Sequence, residues 1–340
     1  KVRAPLKLGG VVIGRVSDIT LDEKSYLPKV SIAINEEYKE IPENLDIIDY
    51  ELYRCTNCDL VFAAPLIGGS ESFYTWVTSH SNYYPTEENP RWEWIQIKEY
   101  LLQNKNVKTI LEVGCGEGAF LSFIQKAVPG LSCLGIDTTT SACIECMKKG
   151  LDVYNGTLEE YINGGNKKKF DMVVAFHCLE HVEEPMQLAK EMLDITDEKG
   201  MCIVSFPYTD MKMEKVFITA NNMPPHHLSH WNYKSCKKLA EVLAANMQIV
   251  SPYAPRIKDE VYQLLLNMYY PIWKPRDDIN FFNVALIALI HPLKTLKAVK
   301  CVILKDRIVT ASQIGKATQK RRVPWFVMLI LKRKDKAFMG

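Results

Sequence analysis

The stretch "KTILEVGCGEGAFLSF", residues 108–123, places three glycines at alternate positions between an apolar run and a segment of helical composition. Ile110, Leu111 and Val113 predict a buried strand, and residues 119–125 predict a helix. Glycines between them let the chain adopt positive φ and let a ligand lie against the main chain without meeting a Cβ. The G-x-G-x-G spacing differs from the G-x-G-x-x-G fingerprint of dinucleotide-binding folds, in which the third glycine comes one place later.

Composition narrows the class of protein. The chain has 340 residues, of which 47% are hydrophobic and 24% charged, with a net charge of +2. This balance is typical of a globular protein and does not favour a nucleic-acid partner. The ten cysteines are scattered through predicted strands and helices, and no signal peptide is visible, so we expect a reducing cytoplasmic environment. The longest apolar run, residues 281–290, is shorter than the ~20 residues of a spanning helix.

Strand and helix patterns alternate from residue 108 onward. Strands are predicted at 132–137, 151–156, 170–178, 200–208, 247–253 and 324–333, with helices near 185–196 and 234–246 among them. Alternation of this kind predicts an α/β fold with a parallel sheet covered on both faces. Such sheets bind ligands beyond the carboxyl ends of their strands. The glycine turn, Asp137 and residues 177–181 all follow predicted strands, so we expect them to form one site.

Three successive motifs, "ILEVGCGEG", "GID" and "FDMVVAFHCLEHVEEP", resemble those of class I S-adenosylmethionine-dependent methyltransferases. The resemblance covers roughly residues 90–255 and the last strand. It implies a Rossmann-like sheet of seven strands with helices on both faces, and S-adenosylmethionine as the cofactor.

The same resemblance implies the cofactor-binding residues. They are Glu112, Gly114, Cys115, Gly116 and Gly118 in the glycine loop, Asp137 and Thr138 after the next strand, and His177. Asp137 matches the acidic residue that accepts hydrogen bonds from both ribose hydroxyls, a task that suits an acceptor-only carboxylate. The alternative for Asp137 is a helix N-cap, since three threonines follow it.

The segment "HCLEHVEEP" contains His177, Glu180 and His181 directly after a buried strand. In related methyltransferases this place lies beside the transferred methyl group, and a few relatives use similar side chains to hold a divalent metal. His181 is therefore a candidate catalytic residue. The alternative is that Glu180 and His181 hold the loop by hydrogen bonds.

The stretch "MPPHHLSHWNYKS", residues 223–235, contains three of the seven histidines. It resembles a proline–histidine–histidine segment that lies at the acceptor site in the same family. An alcohol that attacks the sulfonium must lose a proton, so His226 or His227 is the candidate base. Because adjacent side chains rarely face one site, we expect one of the pair to have a packing role. His230 and Trp231 are expected to cap or pack the following helix.

The segment "YELYRCTNCDLVFAAP", residues 50–65, resembles half of the zinc ribbon that precedes the methyltransferase domain in a subfamily acting on sugars and glycan precursors. Cys55 and Cys58 have ligand spacing, but a closed site needs two more ligands and residues 1–54 contain no cysteine. The remaining C-x-x-C lies in a predicted helix. Zinc is therefore not expected as a closed four-ligand site.

Residues 1–44 resemble the middle of an MCE domain, the β-barrel of bacterial phospholipid-transport proteins, most specifically through "GGVVIGRVSDITLD". A natural fusion, a gene rearrangement or a constructed chimera would each produce this arrangement. Unpaired strands in this segment would have to pack on the rest of the chain or assemble with copies of it. The predicted divisions are 1–46 (MCE-like β segment), 47–88 (half zinc ribbon and linker), 89–255 (methyltransferase core), 256–323 (helical insertion) and 324–340 (last strand and tail).

The insertion at 256–323 contains an apolar segment followed by "HPLKTLKAVKCVILKDR", whose leucines and lysines fall on different sides of a helix. One interpretation is a lid with a solvated basic face. The other is that residues 277–307 bring the acceptor site to the inner face of a membrane, as a lipid-linked glycan would require. Deletion of 277–320 should then abolish methyl transfer while S-adenosylmethionine still binds.

Three functions remain open at this point. The first is an S-adenosylmethionine-dependent methyltransferase that acts on a sugar, a glycan precursor or a similar small molecule. The second is a lipid-binding or assembly protein led by the MCE-like segment, with the methyltransferase domain as passenger. The third, disfavoured by the glycine spacing, is a nicotinamide-dependent dehydrogenase.

Overall fold

The computed structural model describes residues 5–8, 11–21, 28–34, 50–70, 72–74, 86–208, 224–251, 289, 292–293, 296 and 326–334. Most of the described residues form one α/β unit. The MCE-like segment contributes three strands, β1 (Pro5–Leu8), β2 (Val11–Leu21) and β3 (Pro28–Ile34), which form an antiparallel sheet in the order β1-β2-β3. The β-rich character predicted for this segment is thus confirmed.

The central sheet has seven strands in the order β12-β13-β10-β9-β6-β7-β8. Its strands are β6 (Thr109–Val113), β7 (Ser132–Asp137), β8 (Val153–Asn155), β9 (Phe170–Phe176), β10 (Thr196–Pro207), β12 (Ala245–Val250) and β13 (Phe326–Arg333). β13 is antiparallel to both of its neighbours, β10 and β12, and the pairings from β10 across to β8 are parallel. The predicted seven-stranded Rossmann-like sheet is confirmed.

In the part of the chain that the structure describes, six helices cover the two faces of the central sheet. They are α1 (Trp92–Gln103), α2 (Ala119–Ala127), α3 (Thr140–Lys148), α4 (Leu158–Asn163), α5 (Pro185–Ile195) and α6 (Tyr233–Val242). Alternation along β9 creates two cores, because Val173 and Ala175 pack with α4, α5 and α6 while Met172 and Val174 pack with α1, α2 and α3. Burial on both faces explains why these strands are nearly continuous apolar runs.

The cysteine-bearing segment is part of this unit through a third, small sheet. β4 (Glu51–Arg54) and β5 (Val61–Ala64) form a hairpin, and β5 also pairs with β11 (Ser229–His230). The Nδ2 of Asn232 donates to the Asp59 carbonyl at 2.7 Å, and Lys234 pairs with the Asp59 carboxylate. The sheet order places the hairpin beside the segment that contains the proline–histidine–histidine motif.

The predicted insertion at 256–323 lies outside the described residues except for positions 289, 292, 293 and 296, which are helical and exposed. The interpretations of residues 277–307 as a lid or a membrane contact therefore stay predictions. Among the described residues, no helix combines the length and apolarity that crossing a membrane requires.

Candidate active site

The glycine turn joins β6 to α2 at the carboxyl edge of the central sheet. Gly114, Gly116 and Gly118 have φ values of 74°, 51° and 74°, all in the left-handed region. A Cβ on Gly118 would lie 2.4 Å from Leu151 Cδ1, and one on Gly114 would lie 3.0 Å from Cys178 Sγ. Both conformation and space therefore require glycine at these two positions. The result is a turn with no Cβ at three alternate positions, at the point where α2 begins.

Asp137 is the last residue of β7, and its carboxylate is hydrogen-bonded to the glycine turn. The Gly116 N–H donates to its Oδ2 at 2.7 Å, and the Thr139 N–H donates to its Oδ1 at 2.8 Å. A carboxylate has about four acceptor positions, so two of them are left for a ligand. Thr139, rather than Asp137, occupies the N-cap position of α3. Thr138, exposed, lies between them at the same edge of the sheet.

Glu112 lies one residue before the glycine turn and is buried, with 4% of its surface exposed. Its Oε2 has no hydrogen-bond partner among the described residues. Burial raises the pKa of Glu112 well above its usual range, and the nearby Cys146 and Asp137 raise it further. The side chain is therefore held as a neutral carboxyl, which can donate as well as accept a hydrogen bond.

His177 follows β9 and lies between two buried carboxylates. Its Nε2 is 3.0 Å from Glu93 Oε1, and its Nδ1 is 3.4 Å from Glu180 Oε1. Burial and the charge of Arg91 oppose protonation, but the two carboxylates outweigh them and raise the pKa of His177. His177 has φ 49°, which is unusual for a residue with a side chain. This backbone turn directs the imidazole toward α1, where Glu93 lies.

Three further histidines form a compact cluster, which we call the histidine cluster: His181, His226 and His227. The ring centres are 4.4 Å apart for His181 and His226 and 4.7 Å apart for His181 and His227. His226 and His227 are stacked at 4.7 Å with an interplanar angle of 18°. The Nδ1 of His181 is hydrogen-bonded to the main-chain carbonyl of His226, which ties the loop after β9 to the segment before β11.

The histidine cluster is neutral at physiological pH. Burial lowers the pKa of His181 to about 4, even though its bond to the His226 carbonyl acts in the opposite direction. Burial also lowers the pKa of His226 and of His227 well below the usual value, and the neighbouring His181 lowers both further. His177 and His181 thus have opposite pKa shifts although they are four residues apart.

Gly68 and Tyr74, from the part of the chain before α1, contact the histidine cluster and the loop beside it. The ring of Tyr74 lies 6.1 Å from that of His181 at a nearly perpendicular angle, and Tyr74 Oη is 3.4 Å from His181 Nδ1. The Gly68 N–H donates to Glu183 Oε1 at 2.9 Å, which fixes this segment to the loop after His181. A cavity of about 170 Å³ is lined in part by Pro224 and Pro225, which directly precede His226 in the chain. Its other lining residues are Tyr50, Pro65, Ile67, Gly68 and Ser70.

The structure brings together the residues predicted from the three motifs, with differences in detail. Both His226 and His227 lie against His181, and the expectation that one of the pair has a packing role stays a prediction. Cys115 is buried in the core beneath the turn, and only its main chain lies in the turn itself. Asn232 forms the capping box of α6, whereas His230 pairs with Val61 of β5 and Trp231 packs in the core.

Cys55 and Cys58 lie on the turn between β4 and β5. Hydrogen bonds from the Cys58 and Asn57 main chain, and from the Cys58 side chain, lower the pKa of the Cys55 thiol. Within the part of the chain that the structure describes, the histidine cluster is the one group of three or more residues with metal-ligand spacing. This pair of thiols therefore has no third ligand there.

Two residues of the site were not anticipated from the sequence. Glu93 contacts His177 from α1, and Tyr74 contacts His181 from the part of the chain before α1. A signal for Glu93 does exist, because it shares the buried face of α1 with Ile97 and Leu101 at helical spacing. No comparable pattern marks Tyr74.

Comparison with known proteins places this geometry in a family. The strand order and glycine turn define the fold as that of the class I methyltransferases. The chain belongs to the family described as Methionine biosynthesis protein MetW, whose pattern matches residues 93–282, more than half of the chain.

Three individual proteins illustrate the range of similarity. A putative methyltransferase, 235L, of Invertebrate iridescent virus 6 is 24% identical over 238 residues, covering 65% of this chain and 83% of the viral protein. A crystal structure of a SAM-dependent methyltransferase from Archaeoglobus fulgidus covers 71% of this chain and 94% of its own, with 16% identity and a TM-score of 0.44. The binding protein MlaD of the Haemophilus influenzae intermembrane phospholipid transport system is 91% identical over 44 residues, which are 13% of this chain and 26% of MlaD.

Proposed function

We propose that this protein transfers a methyl group from S-adenosylmethionine to a hydroxyl of a sugar, a glycan precursor or a similar small molecule. The observation that carries the proposal is the carboxyl edge of the sheet, where the glycine turn is hydrogen-bonded to Asp137. Bound S-adenosylmethionine would supply an electrophilic methyl group on a sulfonium sulfur.

The residues at this edge suit the two polar ends of that cofactor. Asp137 keeps acceptor positions for the ribose hydroxyls while its bonds to Gly116 and Thr139 hold it in place. Glu112 is buried, and its free Oε2 lacks a partner among the described residues. A buried polar atom of this kind costs about 1–3 kcal/mol unless a ligand or water completes it. We therefore assign Glu112 to the methionyl end, with the glycine turn beneath it.

The acceptor is assigned to the side of the histidine cluster. Pro224 and Pro225 line the 170 Å³ cavity and directly precede His226 in the chain. The hydroxyl of the acceptor must lose its proton as its oxygen attacks the methyl carbon, and a neutral imidazole can accept that proton. His226 or His227 is the proposed base, while His181 positions the pair through its bond to the His226 carbonyl.

Calorimetric titration of the protein with S-adenosylmethionine, NAD and phospholipid vesicles tests the proposal against its two alternatives. We expect stoichiometric binding of S-adenosylmethionine and no binding of NAD. Release of S-adenosylhomocysteine in the presence of a panel of sugar and sugar-nucleotide acceptors would then identify the substrate. Binding of NAD without S-adenosylmethionine would contradict the proposal.

A second candidate function concerns residues 1–44. Their 91% identity to a stretch of MlaD favours contact with phospholipid by this segment. Because the chain spans only 26% of MlaD, this function is proposed for the segment and not for the whole protein. Vesicle co-sedimentation of the full chain and of a chain lacking residues 1–44 tests it, and equal sedimentation of the two would contradict it.

A further inference from the structure

The histidine cluster has the composition and spacing of a metal site. His181, His226 and His227 each offer one ring nitrogen, and these three atoms lie within 4.8 Å of one another. Tetrahedral zinc, with Zn–N distances of about 2.0–2.1 Å, requires its ligand nitrogens to be roughly 3.4 Å apart. Binding of zinc would therefore draw the three nitrogens closer together than the 4.8 Å limit within which they lie here.

The hydrogen bond at Nδ1 holds the ring of His181 in the way that the rings of metal-bound histidines are commonly held. Its Nδ1 bonds to the main-chain carbonyl of His226, and since a carbonyl only accepts, the Nδ1 carries the hydrogen. In the tautomer with its hydrogen on Nδ1, the ring offers the lone pair of Nε2 to a cation. Metal-bound histidines commonly hold their second nitrogen in this way, which fixes the tautomer and the plane of the ring.

Glu180 places a buried negative charge beside the histidine cluster. Its side chain is 1% exposed, and its Oε1 lies 3.4 Å from His177 Nδ1 and 3.9 Å from His181 Nε2. Its Oε2 has no hydrogen-bond partner among the described residues. A buried carboxylate beside these rings can balance the charge of an ion bound by the cluster.

We propose that His181, His226 and His227, with Glu180 beside them, bind one divalent transition-metal ion. Three imidazoles favour zinc, cobalt or nickel over magnesium and calcium, which prefer oxygen ligands. This assignment of an ion to the site is independent of the thiol pair Cys55 and Cys58, which lies on the turn of the β4–β5 hairpin.

The role of the ion rests on the proposed function, whereas its binding does not. An acceptor hydroxyl on the ion would lose its proton to solvent more readily, since a bound cation lowers the pKa of a coordinated oxygen. The oxygen lone pair then forms the new C–O bond as the S–CH3 bond breaks, with its electron pair left on sulfur. The cluster would in that case act as ligands, and His226 or His227 would not be the base.

The test is a titration of the full chain with Zn²⁺ and Co²⁺ after removal of metal by a chelator. All titrations use a chain that carries Cys55→Ser and Cys58→Ser, because these two replacements remove the competing thiols. This parent is compared with three variants of it, His181→Gln, His226→Gln and His227→Gln. We expect one ion per chain, visible Co²⁺ absorption of imidazole coordination, and an affinity that falls by more than ~100-fold in each glutamine variant, beyond the effect of an outer-shell change. Mg²⁺ should not compete.

Folding of each variant is checked by S-adenosylmethionine binding and, independently of the proposed function, by thermal melting followed by circular dichroism. A folded variant that still binds Zn²⁺ as tightly as the parent would overturn the site. So would binding that is lost with the two cysteines and unaffected by the histidines. If S-adenosylmethionine does not bind but the histidine-dependent ion does, the proposed function fails while the metal site stands.

Discussion

The acidic side chains at the two edges of the central sheet differ in burial and in hydrogen bonding. At the amino edge, Asp171 accepts hydrogen bonds from the Lys108 N–H, the Thr109 N–H and the Thr109 hydroxyl, all at 2.8–3.0 Å. At the carboxyl edge, Glu112 and Glu180 are almost fully buried and have carboxylate oxygens with no hydrogen-bond partner among the described residues. The same edge has the glycine turn and the perturbed histidines.

We infer from this difference that the amino edge contributes to stability and the carboxyl edge to ligand binding. A satisfied carboxylate such as Asp171 joins β6 to β9 and needs nothing more. An unsatisfied one costs about 1–3 kcal/mol, so its retention indicates that a ligand completes it. Replacement of groups at the amino edge should therefore lower stability alone, whereas replacement at the carboxyl edge should affect binding or rate.

The largest effect is expected at the histidine cluster. His226→Ala or His227→Ala should lower kcat by about 10²–10⁴-fold, the contribution of a positioned proton acceptor, while the affinity for S-adenosylmethionine stays close to that of the parent. The rate of S-adenosylhomocysteine release with a saturating acceptor is the measurement. Near-normal rates in both variants would remove the cluster from the acceptor side.

A smaller effect on binding is expected at Asp137. Loss of a charged acceptor should weaken S-adenosylmethionine by about 1.5–3 kcal/mol, or roughly 10- to 150-fold, in Asp137→Ala. Asp171→Ala is the matched control, because it removes an aspartate that also accepts main-chain N–H groups but lies at the other edge of the sheet. Calorimetry that gives the two variants the same affinity would contradict the ribose assignment.

The fold and the cofactor side could be predicted from the sequence because both depend on local patterns. The apolar strands alternate with helices, Asp137 is the last residue of its strand, and the glycines and His177 directly follow theirs. The parallel arrangement then brings those ends together at one edge.

The surroundings of the histidine cluster were only partly predictable, because their contacts join distant parts of the chain. Glu93 lies 84 positions before His177, and Tyr74 lies 107 positions before His181. The pairing of β5 with β11, which brings the hairpin next to the histidines, connects two short strands without a distinctive pattern. The shared orientation of His226 and His227 contradicts the usual behaviour of neighbouring side chains and follows from their stacking on each other.

Replacement of Asp171, at the amino edge of the sheet, should lower the stability of the protein. Asp171→Ala leaves the Lys108 and Thr109 N–H groups without their acceptor, so the free energy of unfolding should fall by about 1–3 kcal/mol. Urea unfolding followed by circular dichroism measures this loss. An unchanged midpoint would mean that water replaces the carboxylate fully, and the contrast between the two edges would then disappear.

The smallest expected effect concerns the pH dependence of stability at the carboxyl edge. The pKa of His181 is about 4 in the folded chain and about 6.5 when unfolded, so between these values the unfolded state binds more protons. Stability therefore falls as the pH decreases from 6.5 toward 4, with a slope of at most ~1.4 kcal/mol per pH unit from this group. His177 has the opposite sign, because its raised pKa gives a stabilisation that is lost as the pH rises above 6.5.

The two histidines thus allow a matched pair of variants. In His181→Gln, urea unfolding at a series of pH values in the presence of a chelator should show a slope on the acid side that is smaller by about 1 kcal/mol per pH unit. In His177→Gln, the acid side should keep its slope and the decline above pH 6.5 should become smaller. Identical profiles in both variants would mean that the opposite environments of the two imidazoles, one between carboxylates and one among histidines, do not govern their protonation.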